Sequence, residues 1–162
     1  MFDCSDYIDC PIGTLTIVSS SIGITNVHFG RKEFSTPNEE NSVARELVMQ
    51  CKLQLEEYFS NQRTIFSIPF DITGTSFQQM VWNALQEIPF GKISSYKAIA
   101  KIIGNEKACR AVGMANNRNP LPILIPCHRV IGLSGSMVGY AGDIWRKEWL
   151  LKHELTMVLK EL

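Results

Sequence analysis

Residues 94–113, SSYKAIAKIIGNEKACRAVG, contain two short helix-like segments separated by a glycine. Ser94 or Ser95 can cap a first helix that ends at Gly104, because serine favours the N-cap and glycine favours the residue after a helix. Asn105 can cap the second helix. Two short helices joined by a glycine-containing turn and rich in Lys and Arg are typical of a helix-turn-helix, although any pair of short core helices shares this pattern.

Charge is unevenly distributed around this segment, although the 162-residue chain has no formal net charge. Residues 92–129 contain seven Lys or Arg residues and one Glu, a net charge of +6. Residues 1–70 contain five Lys or Arg residues and nine Asp or Glu residues, a net charge of −4. A local excess of positive charge is expected on a surface that binds phosphates, but a solvated helical face would have the same composition.

A second informative stretch is residues 119–132, NPLPILIPCHRVIG, in which an apolar run ends in Pro-Cys-His-Arg. A single free cysteine is most often a buried core residue. Here His128 and Arg129 follow Cys127, and neighbouring positive charge favours the reactive thiolate. The stretch therefore predicts a nucleophilic Cys127 at the end of a strand-like segment.

The first half of the chain has the pattern of a small sheet and a helix. Residues 8–30 alternate apolar and polar side chains, which predicts antiparallel strands joined by tight turns. Apolar residues at helical spacing in residues 42–59 predict an amphipathic helix on that sheet, and residues 66–74 predict a last edge strand and a connector. We therefore expect an α+β protein with an N-terminal sheet-and-helix domain, residues 1–73, and a mostly helical domain, residues 74–162.

Composition excludes several classes of protein. No run approaches the roughly 18 apolar residues of a membrane span, and the acidic N-terminus differs from a signal peptide. We therefore expect an intracellular protein with no membrane contact, cytoplasmic or, in a eukaryote, nuclear. The five cysteines are odd in number and dispersed, which argues against a disulfide framework. Their spacing predicts no metal site, the alternative being a structural zinc held by Cys4, Cys10 and His28. We also expect no cofactor.

Five segments resemble one protein family in their order and spacing. They are residues 75–100 (TSFQQMVWNALQEIPFGKISSYKAIA), 105–113 (NEKACRAVG), 117–132 (NRNPLPILIPCHRVIG), 139–142 (GYAG) and 147–154 (KEWLLKHE). The family is the methylated-DNA-protein-cysteine methyltransferases, also called O6-alkylguanine-DNA alkyltransferases. The match covers nearly all of residues 74–154, whereas the first 70 residues match more loosely.

The resemblance implies a ribonuclease H-like N-terminal domain and a helix-turn-helix that binds double-stranded DNA through the minor groove. It also implies the reaction, in which a nucleotide is flipped out of the duplex and its alkyl group passes to a cysteine. The substrate would be O6-alkylguanine, with O4-alkylthymine as a second lesion, and the monomeric protein would act once. A thioether has no carbonyl for water to attack, so hydrolysis cannot readily regenerate the free cysteine.

The resemblance assigns catalytic roles to five residues. Cys127 matches the nucleophile and methyl acceptor. His128 matches a base that takes the thiol proton through a water, and Glu154 matches the carboxylate that orients the imidazole. Tyr96 matches a residue that rotates the nucleotide and protonates the departing guanine, and Asn119 matches an asparagine that braces the active-site turn.

DNA and substrate contacts are implied in the same way. Arg110 matches an arginine finger that takes the place of the extruded nucleotide. The other matched DNA-binding positions are Tyr96, Ala108, Ala111, Gly113 and Arg118, and the matched substrate-binding positions are Val130, Tyr140 and Ala141. Asp143 departs from the pattern, because a second glycine commonly follows GYAG, and it can cap the last helix instead.

Two other classes of protein are compatible with parts of this pattern. A cysteine hydrolase could pair Cys127 with His128, although such enzymes usually take their histidine from a distant part of the sequence. A non-catalytic protein that binds alkyl lesions or regulates genes would use the helix-turn-helix but would have no use for the thiol. We keep the second as the main alternative.

Overall fold

The computed structural model describes residues 4–34, 42–137, 140 and 142–162. Backbone contacts divide the chain into two compact units, one that ends at Ile72 and one that begins at Thr73. No helix in the described parts of the chain is long and apolar enough to cross a membrane.

The described residues of the first unit form a three-stranded antiparallel sheet and one helix, as the sequence predicted. The strands β1 (Cys4–Cys10), β2 (Gly13–Ser19) and β3 (Ile24–Phe29) lie in that order, with Cys4 opposite Ser19 and Leu15 opposite Phe29. Helix α1 (Ser42–Phe59) contacts all three strands. The buried core of this unit includes Ile12, Leu15, Ile17, Ile24, Val48, Cys51, Leu55 and Tyr58.

The edge strand predicted in residues 66–74 does not form. Phe70 makes an isolated parallel bridge with Ile24. Ile24 donates its N–H to the Pro69 carbonyl, Asp71 donates its N–H to the Ile24 carbonyl, and both distances are 2.9 Å. Because proline has no N–H to donate, the ladder stops after this single bridge.

The second unit is mostly helical in its described residues, as predicted. Its helices are α2 (Ser76–Gln86), α3 (Tyr96–Ile102), α4 (Cys109–Asn117) and α5 (Ile144–Lys160). Two short parallel strands, β4 (Ser94–Ser95) and β5 (Val130–Ile131), pair Ser94 with Val130 and Ser95 with Ile131.

Helix α2 anchors this unit through its cap and one buried tryptophan. The Thr75 hydroxyl accepts the N–H of Gln78, and the Gln78 side chain accepts the N–H of Thr75, which satisfies two donors at the helix start. Trp82 is buried, and its indole N–H donates to the carbonyl of Ala115 in α4 at 2.9 Å. This bond fixes α2 against the second helix of the helix-turn-helix.

The helix-turn-helix consists of α3 and α4, but the N-cap of α4 is Ala108, three residues later than the predicted cap, Asn105. The Asn105 carbonyl accepts the N–H of Ala108 at 3.0 Å, so residues 105–108 form a turn before the helix. At the other end of the pair, the Ser95 hydroxyl caps α3 by accepting the N–H of Ala98.

Gly91 and Gly104 offer a test of how this unit is packed, because both have left-handed φ values, 76° and 81°. A Cβ on Gly104 would meet nothing within 4 Å, whereas one on Gly91 would collide with the Val158 side chain. We expect Gly104→Ala to lower the free energy of unfolding by about 1 kcal/mol and Gly91→Ala by about 3 kcal/mol, since only the second adds overpacking. Urea denaturation measures both, and equal losses would contradict the packing around Val158.

Candidate active site

Cys127 lies in a single turn of 3-10 helix, Cys127–Arg129, and not in the predicted strand-like segment. The Cys127 N–H donates to the Ile125 carbonyl at 2.7 Å, and the Arg129 N–H donates to the Pro126 carbonyl at 3.0 Å. These tight local bonds replace a strand ladder, and extended pairing begins only at Val130. The prediction was wrong because an apolar run that contains several prolines cannot form a regular ladder.

The loop that leads to this turn is strained, and the buried side chain of Asn119 bonds across it. Ile123 has φ 76°, a left-handed value that costs a β-branched residue energy. Asn119 spans the loop, because its side-chain N–H donates to the Ile125 carbonyl at 2.8 Å and its oxygen accepts the Leu121 N–H at 2.9 Å. Asn119 is also close enough to Cys127 to hydrogen-bond the thiol.

The Cys127 thiol is fully buried, and this changes its chemistry. Burial raises the pKa of Cys127 to about 11, although Asn119 and Lys147 act in the opposite direction. The expectation that His128 and Arg129 would favour the thiolate is therefore wrong for the resting protein. Loss of hydration outweighs nearby positive charge, so the thiol is protonated at neutral pH.

His128, Arg129 and Glu154 form a buried cluster. His128 Nε2 lies 2.6 Å from Glu154 Oε2, while Arg129 Nε donates to Oε1 at 2.7 Å and a guanidinium N–H donates to Oε2 at 3.1 Å. Arg129 also donates to the Ile88 carbonyl at 2.7 Å, and the Gly91 N–H donates to Glu154 Oε1 at 3.3 Å. The carboxylate thus joins α5, the active-site turn and the loop after α2.

The pKa shifts in this cluster define its protonation state. Burial alone would raise the pKa of Glu154, but His128 and Arg129 more than offset burial and hold it well below its usual range. Burial lowers the pKa of His128, with Arg129 and Lys147 acting in the same direction against Glu154. At neutral pH the histidine is therefore neutral, and an ionised Glu154 requires its proton on Nε2.

This tautomer leaves Nδ1 of His128 with a lone pair. Nδ1 is buried and has no hydrogen-bond partner within the described ranges of the chain. A neutral imidazole with one occupied N–H and one open lone pair can accept a proton, and the ion pair with Glu154 would stabilise the charge that results. The cluster can therefore act as a base for a group next to it.

Lys147 is a functional candidate that sequence reasoning missed. It is fully buried, its ammonium donates to the Val130 carbonyl at 2.6 Å, and burial lowers its pKa to about 8. Its charge lies near Cys127 and 5.9 Å from the centre of the Tyr96 ring. The helical spacing of the sequence could have indicated its burial, because Lys147 and Glu154 occupy the same face of α5 as the buried Leu150 and Met157.

Tyr96 and Tyr140 lie close enough to Cys127 to interact with it electrostatically. Burial raises the pKa of Tyr96 to about 12 and that of Tyr140 well above its usual value, and Cys127 raises both further. Both hydroxyls are therefore protonated at neutral pH and can donate. Ala141, the other predicted residue of this loop, lies outside the described residues.

The predicted DNA-binding residues lie on or beside α4. Arg110, Ala111 and Arg118 are exposed, whereas Ala108 and Gly113 are half-buried. Gly113 faces Tyr96, because a Cβ there would lie 3.9 Å from the tyrosine ring. The basic residues in this part of the chain that are exposed are Lys92, Lys97, Lys101, Lys107, Arg110 and Arg118.

The remaining predictions concern metal and the last helix. No group of three potential ligands that could hold a metal ion occurs among the residues that the structure describes. The zinc alternative gains no support, because Cys4 and Cys10 stand at opposite ends of β1, roughly 20 Å apart at the usual rise per residue.

Asp143 occupies the N-cap position of α5, but its carboxylate pairs with Arg146 at 3.0 Å instead of capping with its side chain.

Comparison with known proteins identifies the family. The family model "6-O-methylguanine DNA methyltransferase, ribonuclease-like domain" matches residues 5–72, and "6-O-methylguanine DNA methyltransferase, DNA binding domain" matches residues 76–156. A methylated-DNA–protein-cysteine methyltransferase of Methanosarcina acetivorans is 45% identical over 150 residues, which cover 90% of this chain and 94% of that protein.

Solved structures agree with the sequence comparison. The crystal structure of the Mycobacterium tuberculosis O6-methylguanine methyltransferase superposes with a TM-score of 0.84 at 39% identity, covering 97% of this chain and 94% of the other. The crystal structure of the Mycobacterium tuberculosis OGT in complex with DNA superposes with a TM-score of 0.82 at 41% identity, covering 93% of this chain and 92% of the other. Domain models along most of the chain, a relative of nearly the same length and these structures lead to one conclusion: the chain belongs to the 6-O-methylguanine DNA methyltransferase family.

Proposed function

We propose that this protein repairs DNA by direct reversal of alkylation damage. It transfers the methyl or alkyl group of O6-alkylguanine, and also of O4-alkylthymine, in duplex DNA to Sγ of Cys127. The observation that carries the proposal is a buried, protonated thiol next to a buried histidine that is neutral, hydrogen-bonded to a carboxylate and open at Nδ1. Such a cluster suits one deprotonation and one nucleophilic attack.

The first step is removal of the thiol proton. His128 accepts it at Nδ1 through a water, and Glu154 stabilises the imidazolium that forms. Lys147 also stabilises the thiolate, since its ammonium charge favours ionised Cys127. Asn119 keeps the loop in place, so Sγ stays aligned while its charge changes.

The second step is attack on a saturated carbon. The sulfur forms a bond to the alkyl carbon as the bond from that carbon to the guanine oxygen breaks, and the electron pair passes to the base. Tyr96 can supply a proton to the departing guanine because its hydroxyl is protonated. Val130, the residue after the active-site turn, would contact the base edge through its backbone.

Full burial of Sγ means that a base inside a stacked duplex cannot reach it, so the nucleotide must leave the stack. Exposed Arg110 on α4 would fill the vacated position, and the small residues Ala108, Ala111 and Gly113 would let the helix approach the minor groove closely. Exposed Lys and Arg residues such as Arg118 would hold phosphates. Tyr140 and Ala141 would wall the base pocket.

The domain of residues 74–162 carries all of these proposed groups. A non-catalytic lesion-binding protein would need the exposed face of α4 but not the buried thiol and its base, which is why we favour transfer. A monomeric state and a cytoplasmic location remain predictions from the sequence.

The stoichiometry of product tests the proposed function. We expect guanine repair to rise in a burst equal to the protein added and then stop, because no group can expel an alkyl thiol from the thioether. Mass spectrometry should find the methyl group on the peptide that contains Cys127. Cys51, which is also buried with a pKa raised to about 12 but has no histidine beside it in sequence, is an internal control and should stay unmodified.

Cys127→Ser provides the matched variant for this experiment. It should abolish transfer and keep DNA affinity, because exposed Lys and Arg residues and not the thiol supply phosphate contacts. Several turnovers per molecule, or methyl groups spread over several cysteines, would reject the proposal. Loss of DNA binding in a folded Cys127→Ser protein would also count against it.

Arg110→Ala tests the flipping role. We expect it to slow repair of duplex DNA by at least about tenfold and to leave reaction with a free O6-alkylguanine base nearly unchanged, since only the duplex requires extrusion. Single-turnover rates on the two substrates give the comparison, with Lys160→Ala as a charge-matched control on α5. Equal losses on both substrates would remove Arg110 from this role.

Arg129→Gln tests how the cluster sets the basicity of His128. The guanidinium lowers the pKa of His128, so removing its charge should raise that pKa. A protonated His128 cannot act as a base, and the rate of transfer should therefore begin to fall at a higher pH than in the wild type as pH decreases. Single-turnover rates from pH 5 to 9 and NMR titration of the His128 ring measure this shift.

Arg129→Lys retains the charge and should shift the pH profile less. Thermal denaturation first establishes that each variant is folded, because breaking a buried ion pair costs about 3–5 kcal/mol. A lower rate with an unchanged pH profile in Arg129→Gln would mean that Arg129 has only a structural role.

A further inference from the structure

A cavity of about 300 Å³ lies between α5 and residues 91–93 of the loop after α2. This volume is at the lower end of the range for pockets that bind small molecules. Glu154 contributes to its lining. None of the roles proposed above for Cys127, Tyr96 or the face of α4 uses this cavity.

The body of the cavity is apolar. Ile93, Leu151 and Leu155 line it, and Ile93 and Leu155 are 60% and 51% exposed. Single exposed apolar residues are normal on a protein surface. Here they share one concave surface, so a ligand in the cavity would remove their apolar area from water at about 25 cal/mol per Å².

Two lysines give the cavity a positive charge. Lys92 and Lys152 line it and are exposed, and neither takes part in an ion pair in the part of the chain that the structure describes. The one acidic residue in the lining, Glu154, is paired with Arg129 and bonded to His128. Its charge is thus neutralised within the protein and does not cancel that of the lysines.

We propose that this cavity binds a small amphipathic anion, a carboxylate or sulfonate attached to an aromatic or short alkyl body. The apolar body would contact Ile93, Leu151 and Leu155, and the anionic group would lie between Lys92 and Lys152. The proposal concerns a free small molecule and does not depend on the alkyl-transfer function. Glu154 lines the cavity and is hydrogen-bonded to His128. A ligand in the cavity would therefore lie next to the carboxylate that holds the proposed base.

Fluorescence of 1-anilinonaphthalene-8-sulfonate with the whole protein tests the proposal. We expect saturable binding to one site with a rise in emission, because the probe combines an aromatic body with a sulfonate. Octanoate should displace it, whereas octanol, which lacks the charge, should displace it at least about twofold less well. Backbone amide signals of residues 91–93, 151 and 155 should shift in NMR spectra during the titration.

Variants at exposed positions separate the two parts of the site without threatening the fold. Lys92→Gln and Lys152→Gln should each weaken binding about two- to fivefold, the range for exposed charge pairs. Leu155→Trp should fill the cavity and abolish binding. Lys160→Gln and Leu159→Trp change the same residue types on exposed parts of α5 outside the cavity and should bind like the wild type.

Several outcomes would overturn the proposal. They are the absence of saturable binding, equal displacement by octanol and octanoate, and equal binding by Leu155→Trp and the wild type. Stronger displacement by an acidic, leucine-containing peptide than by octanoate would replace it with a docking site for a protein partner.

Discussion

The Glu154 carboxylate is the group on which the second unit depends. It is 1% exposed, and burial of an unpaired carboxylate costs several kcal/mol. Arg129 supplies the opposite charge through two hydrogen bonds, while His128 and the Gly91 N–H occupy the remaining positions around the oxygens. His128 and Arg129 come from the active-site turn and Gly91 from the loop after α2, so satisfying this one charge holds both segments against α5.

The same constraint reconciles a buried thiol with reactivity. A thiol with a pKa of about 11 is largely unreactive at neutral pH, which protects Cys127 from unspecific alkylation and oxidation. Ionisation becomes favourable only when the proton has a nearby acceptor and the thiolate a nearby cation. In the proposed mechanism His128, already hydrogen-bonded to Glu154, and Lys147 meet these two needs without exposing the sulfur to bulk solvent.

The sequence predicted the helices of the helix-turn-helix better than it predicted which side chains meet in the folded protein. Local signals predicted the helix-turn-helix, since glycine at position 104 and a serine cap at 95 act within a few residues. Adjacency in sequence misled us about Arg129. Consecutive side chains in a tight turn diverge, and its guanidinium meets Glu154, 25 residues away, instead of the thiol. The pKa of Cys127 was likewise out of reach, because burial depends on every neighbour and not on the flanking residues.

The short parallel pair β4–β5 links the DNA-binding and chemical parts of the unit. Ser95 pairs with Ile131 and also caps α3, so the first residue of that helix, Tyr96, is fixed with respect to the strand that follows the active-site turn. Lys147 reinforces this strand through the Val130 carbonyl while its charge faces Cys127. A displacement of the helix-turn-helix on DNA would therefore be transmitted to the tyrosine, the strand and the lysine together. This pair of two-residue strands thus holds the proposed proton donor, the proposed nucleophile and the helix-turn-helix in fixed positions within one compact unit.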